Sequence, residues 1–72
     1  DAAVRMVVAQ RLPVALLGAL LKDQDWQVRY HAAQRVHPSA LAALLDDADE
    51  VVRELARQRY SETEYLEESV HG

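Results

Sequence analysis

The sequence predicts an all-α fold, a solenoid of stacked 24-residue units, on three observations. A short motif returns at a fixed interval, apolar residues inside each interval fall at helical spacing, and the composition favours helices. Of the 72 residues half are apolar, with two Gly, two Pro and no Phe, while Ala, Leu, Val, Arg and Glu dominate. The motif is Asp1-Ala2-Ala3-Val4-Arg5, which returns as Asp25-Trp26-Gln27-Val28-Arg29 and as Asp49-Glu50-Val51-Val52-Arg53. The interval from Asp1 to Asp25 equals that from Asp25 to Asp49, without a gap. Units 1–24 and 25–48 are identical at 11 aligned positions, among them Ala9/Ala33, Gln10/Gln34, Arg11/Arg35 and Leu17/Leu41. Units 25–48 and 49–72 share only six, and beyond Arg59 the third unit leaves the pattern.

Each unit reads as two short helices. The first half carries Val4, Val7, Val8 and Leu12, then Val28, Ala32 and Val36, then Val52, Leu55, Ala56 and Tyr60, offsets of an amphipathic stripe. Asp25 and Asp49 stand where a helix N-cap is wanted, their carboxylates placed to accept from free first-turn amides. The second half repeats Leu17, Leu20 and Leu21 as Leu41, Leu44 and Leu45, opened by Pro13 or Pro38. A segment of about eight residues is short for an α-helix, so 3₁₀ geometry is an alternative there. One such pair cannot bury its own apolar face, and stacking neighbours does so. In the third unit Ser61 and Glu64 have capping-box spacing, which predicts a new helix starting at Ser61. Tyr65, Leu66 and Val70 would then seal the stack while the acidic residues face water.

The 24-residue period, with Asp-x-x-Val-Arg-x-x-x-Ala-Gln-Arg, a proline and then Leu-x-x-Leu-Leu-x-Asp, resembles the leucine-rich repeat variant family. It is similar, more distantly, to HEAT and armadillo repeats. The resemblance covers residues 1–60 well and 61–72 poorly. It implies a right-handed superhelix of alternating α- and 3₁₀-helices in a bacterial, cytoplasmic setting. In some members it also implies a cysteine-rich N-terminal domain holding a 4Fe–4S cluster, linked to nitrogen fixation. This chain has no cysteine, so no residue here can carry that cluster; a 4Fe–4S group would belong to a domain outside it. HEAT-like repeats also imply an Asp six residues before the Val-Arg arginine, the two forming a ladder along the stack. Asp23/Arg29 and Asp47/Arg53 match that spacing, and a guanidinium with five donors suits the role.

Several chemistries find little support. The chain lacks a Gly-x-Ser-x-Gly turn, a glycine-rich phosphate loop and a Cys/His pair, so no enzymatic activity is expected. His31 occupies the slot of Val7 and Leu55 and is expected to be mostly buried with one hydrogen bond; His37 sits in a loop beside Pro38. These two are six residues apart, not the four of helical zinc ligands, and no metal site is expected. Arg11, Arg35 and Arg59 recur in one slot, which raises nucleic-acid binding. Residues 1–48 nevertheless hold five basic and five acidic side chains, and residues 49–72 hold three and seven. The total of −4 leaves no uncompensated basic strip, so helix-end and cross-repeat pairing is the preferred role. The longest apolar run, Val14 to Leu21, has eight residues, too few for a membrane span, and no leader pattern for export is present.

Trp26 and Tyr30 are the candidate partner contacts. Trp26 has Ala2 and Glu50 as counterparts, Tyr30 has Met6 and Glu54, and the pair shares one helical face at i, i+4. Aromatics in an otherwise polar slot suit a protein-binding anchor, and Trp26 is expected to be at least half exposed; the alternative is that Trp26 packs across the repeat joint onto its neighbour. The expected function is a non-catalytic scaffold for protein–protein interaction; the alternative is the repeat segment of an iron–sulfur redox protein. The domain reading is one repeat domain, residues 1–72, divided as 1–24, 25–48 and a divergent cap 49–72. Because unit 1 begins in full register with an apolar face, the chain is expected to belong to a longer array. Otherwise two copies would meet end to end.

Overall fold

A computed structural model of the chain describes residues 1–71, with side chains described for residues 1–63. The described residues are all-α, with no strand. Among them three α-helices, α1 (Ala2–Arg11), α2 (Trp26–Arg35) and α3 (Glu50–His71), are separated by two 3₁₀ helices, η1 (Val14–Lys22) and η2 (Pro38–Leu44).

The N-terminal ends are set by aspartates. Asp1 Oδ1 accepts from the Ala3 amide at 3.1 Å, Asp25 Oδ1 from Gln27 at 2.8 Å and Asp49 Oδ1 from Val52 at 3.0 Å. Each capping oxygen takes up an amide that the first turn leaves free. Two of the helices end just as locally. After α1 comes Pro13, whose ring nitrogen has no hydrogen to give the Ala9 carbonyl, and the chain turns extended at Leu12. After α2 the chain turns extended at Val36, with Pro38 two residues on where Pro13 follows Leu12 directly. Helices of ten residues are marginal alone, so α1 and α2 are held by what they pack against.

The second half of each of the first two units is 3₁₀ throughout. Its bonds run back three residues, as in Leu16 N–H to Pro13 O and Ala40 N–H to His37 O, both 2.9 Å. Three residues per turn line up Pro38, Leu41 and Leu44 on one face, and Leu17 with Leu20. The prolines play different parts: Pro38 is the first residue of η2, whereas Pro13 stands one residue ahead of η1. In strict repeat register, Pro38 corresponds to Val14 and Pro13 to His37. His37 takes a capping role there, its Nδ1 accepting from Ser39 N–H at 3.2 Å.

The third unit departs from the expectation. No helix begins at Ser61; α3 runs through that position without a break. Ser61 Oγ instead donates to the Gln58 carbonyl at 2.7 Å, a back-bond within an existing helix. The reason is local: no proline follows Tyr60, where the first two units have one, so nothing stops the ladder. Glu50–His71 therefore form one helix rather than a pair. The sealing role expected of Tyr65, Leu66 and Val70 lies outside the residues with described side chains.

The core is a single seam of small and branched residues. Leu17, Ala32, Ala33, Leu41, Val52 and Ala56 are fully buried in it, and Leu12, Leu20, Tyr30, Leu45, Leu55 and Tyr60 pack around them; Val28 is also fully buried. α2 lies against α1 and η1, and α3 lies against α2 and η2. Alanines at 9, 32, 33 and 56 let the helices approach closely, while the leucines of the 3₁₀ segments fill the space between.

Candidate functional site

Two rows of arginines cross between the units, and they serve backbone and carboxylate groups. Arg29 extends from α2 with its fork against Asp47, Nε to Oδ1 at 2.9 Å and Nη2 to Oδ2 at 3.0 Å. Its remaining arm, Nη1, donates to the Asp23 carbonyl at 2.8 Å and the Gln24 carbonyl at 3.2 Å. Arg5 holds Asp23 in the same manner, at 2.7 and 3.2 Å. Arg53 donates through Nη1 to the Asp47 carbonyl at 2.8 Å. The pairs singled out by a spacing of six, Asp23/Arg29 and Asp47/Arg53, thus meet through the aspartate's carbonyl. The carboxylate is taken by the Val-Arg arginine of the aspartate's own unit, Arg5 for Asp23 and Arg29 for Asp47. Asp23 and Asp47 each also accept the backbone amide of the residue just before the next helix, Asp25 and Asp49, at 2.9 Å. One aspartate therefore ties two successive units and the start of a helix.

The charge at Asp23 is set by these contacts. Hydrogen bonds from Arg5, then the Asp25 amide, hold its carboxyl below the usual carboxylate range. Arg5 is raised in turn, chiefly by the same bond to Asp23. A carboxyl lowered in the folded state stabilises it above the unfolded pKa, and the stabilisation fades as pH falls through the folded value. The wild-type chain is therefore expected to be more stable than Asp23→Asn at neutral pH, with the gap narrowing below about pH 4. Urea unfolding of both proteins, from neutral to strongly acidic buffer, checks it. A gap that stays constant would remove the ion pair from the account.

The second row is Arg35 and Arg59. Arg35 Nη1 donates to the Ala9 carbonyl at 2.9 Å, which Pro13 leaves without its helical partner. Arg59 Nη1 donates to the carbonyls of Ala33 at 2.6 Å and Val36 at 2.9 Å. These bonds reach back 26 residues for the alanine in both cases. Arg57 adds a bond to the Leu45 carbonyl at 2.9 Å, at the end of η2. Its pairing with Asp46 at 3.4 Å is solvent-exposed on both sides and contributes little. Every buried side-chain polar atom among the described residues has a hydrogen-bond partner.

Trp26 and Tyr30 do meet, on the first turns of α2. Their rings stand edge to face, with centroids 6.5 Å apart and planes at 68°. Trp26 is 39% exposed, less than the half expected, with the Tyr30 ring standing beside it. Tyr30 itself is half-buried and stands edge-on to His31, centroids 5.9 Å apart. His31 corrects the expectation of a core slot. It is half-buried, its Nδ1 3.5 Å from Gln10 Nε2, and its counterpart Val7 is exposed while Leu55 is half-buried. The slot lies at the border between seam and solvent. The result is a small patch of Trp26, Tyr30, His31 and Gln10 that joins α2 to α1.

The sequence pattern missed this Gln10–His31 approach and the pairing of each aspartate's carboxylate with the arginine at the start of its own unit. The second was available in principle, since Arg5/Asp23 and Arg29/Asp47 repeat one offset. Among the described residues no group of three or more His, Asp or Glu is arranged to hold a metal ion. A shallow groove along α3, lined by Glu50, Arg53, Glu54, Arg57 and Gln58, carries two acidic and two basic groups and so favours neither sign of ligand. Among the described residues no helix is long and apolar enough to cross a membrane. In comparisons with known proteins, no family model, curated protein or solved structure matches this chain.

Proposed function

We propose that the chain is a non-catalytic helical-repeat scaffold of the leucine-rich repeat variant kind, and that it binds a protein partner through the Trp26/Tyr30 patch. The repeat reading is supported by bonds that recur from one unit to the next: Arg5/Asp23 with Arg29/Asp47, and Arg35/Ala9 with Arg59/Ala33. On this reading the two helix–3₁₀ units and α3 are turns of a solenoid, residues 1–24, 25–48 and the divergent 49–72, working in the cytoplasm.

The observation that carries the binding role is the edge-to-face pair of Trp26 and Tyr30, partly exposed on a rigid helix start. An indole held in place by its neighbour loses little freedom on binding and offers a large apolar face, with its N–H as a donor. Polar Gln10 and His31 at the border would orient the partner. Trp26→Ala is expected to leave the helical circular dichroism nearly unchanged and to abolish capture of the partner in a pull-down read by mass spectrometry. Tyr30→Ala should weaken it. If Trp26→Ala unfolds the chain, the indole is a packing residue and the contact role falls; if capture is unchanged, the partner binds elsewhere.

A further inference from the structure

Equivalent positions of the units differ in one systematic way, and the difference lies at the α1 end. Val28 and Ala32 of α2, and Val52 and Ala56 of α3, are fully buried. Their equivalents in α1, Val4 and Val8, are 59% and 38% exposed. The covering elements are the same in both buried cases: a preceding α-helix and the 3₁₀ helix after it, α1 with η1 for α2, and α2 with η2 for α3. Val7, Val8, Leu12 and Pro13 line an open apolar groove with Arg11 on its edge.

The hydrogen-bond donors at this end follow the same rule. Arg29 and Arg53 each give Nη1 to the carbonyl six residues back, within three residues after a preceding 3₁₀ segment. Arg35 and Arg59 each reach a carbonyl at the end of a preceding α-helix, 26 residues back. Their equivalents are Arg5 and Arg11. Arg5 uses Nε and Nη2 on Asp23, and neither its Nη1 nor Arg11 meets an acceptor among the described residues. An exposed apolar face is thus edged by two guanidinium arms in the register that elsewhere reads two helix-end carbonyls.

We propose that this face is a docking surface for the trailing side of another helix–3₁₀ unit of the same 24-residue kind. The partner would present an α-helix ending in an unbonded carbonyl for Arg11, a 3₁₀ end carbonyl for Arg5 Nη1, and small apolar residues over Val4 and Val8. The inference rests on the repeat reading and is independent of the Trp26/Tyr30 patch. A second copy of this chain does not fit the description. Two α1 faces set against each other would oppose arginines to arginines, with no carbonyls between. At the other end α3 continues past Arg57 and Tyr60, the equivalents of Ala33 and Val36, so those carbonyls are spent within the helix.

The test is a tandem chain in which a duplicate of residues 1–24 precedes Asp1; its Gln-Asp junction repeats the native Gln24–Asp25 step. The unfolding equilibrium constant, read from urea unfolding, is expected to fall roughly tenfold or more, the value of burying about one valine side chain. The tandem chain should sediment as a monomer. Arg11→Gln and Val8→Asp should each be clearly more destabilising at the same positions of the original unit within the tandem chain than in the 72-residue chain, where Val8 is 38% exposed. No gain from the duplicate, or silence of both substitutions there, overturns the proposal. So does a 72-residue chain that dimerises and loses its dimer on Val8→Asp, since a second copy would then be the occupant. Sensitivity of the 72-residue chain to changes at Leu41 and Arg29 reports on the repeat reading separately.

Discussion

Leu41→Ala is expected to destabilise the chain by about 2–5 kcal/mol, the cost of the lost apolar transfer plus the cavity left behind. Leu41 is fully buried, placed by the three-residue turn of η2 in the core, where η2 packs against α3. A chain of 72 residues has a total stability of only about 4–11 kcal/mol at ordinary per-residue values. The single substitution therefore removes a large share of it, and the variant should unfold at much lower urea. Leu16→Ala is the control. Leu16 is 60% exposed, and its loss should change stability by no more than about 0.5 kcal/mol. Urea unfolding followed by the helical circular dichroism signal measures both. Equal effects would mean that the two leucines are not divided between seam and solvent as described.

Arg29→Ala should cost about 1–3 kcal/mol, mainly through the groups it abandons. The Asp47 carboxylate, whose side chain is only 8% exposed, would lose both bonds of the fork, and the Asp23 carbonyl would lose its donor. Arg29→Lys should recover only part of the loss, since an ammonium cannot span Asp47 and the carbonyl with a planar fork. Arg5→Ala should be milder, its side chain being 40% exposed against 14% for Arg29. Unchanged melting of Arg29→Ala together with lost partner binding would move the arginine from the scaffold to the binding surface.

Much of the local structure was legible because it depends on neighbours in the chain. Asp25 caps α2 because the carboxylate sits beside the first-turn amides, whatever the rest of the protein does. The ends of α1 and α2 follow from the prolines beyond them, and the absence of a proline after Tyr60 was the signal, outweighed by the Ser61/Glu64 spacing, that α3 would run on. Capping spacing licenses a helix start only where a preceding helix has already ended. The 3₁₀ geometry was left open by length alone, because a segment of that size accepts either winding.

Sequence by itself determined the 24-residue period, the all-α class, the caps, and which faces of the segments are apolar. Tertiary structure alone decided which of those apolar faces are covered. Val4 and Val28 occupy the same slot of the same motif, yet one is 59% exposed and the other fully buried. Burial belongs to the neighbour as much as to the residue, and of the two helices only α2 has a helix and a 3₁₀ segment packed over it. The same holds for Arg29, whose spacing from Asp23 marks that aspartate as a partner but gives no sign that the fork goes to Asp47 and only the third arm to the Asp23 carbonyl. That division follows from where η1 and η2 bring the two aspartates, one by its carbonyl and one by its carboxylate, around a single planar group.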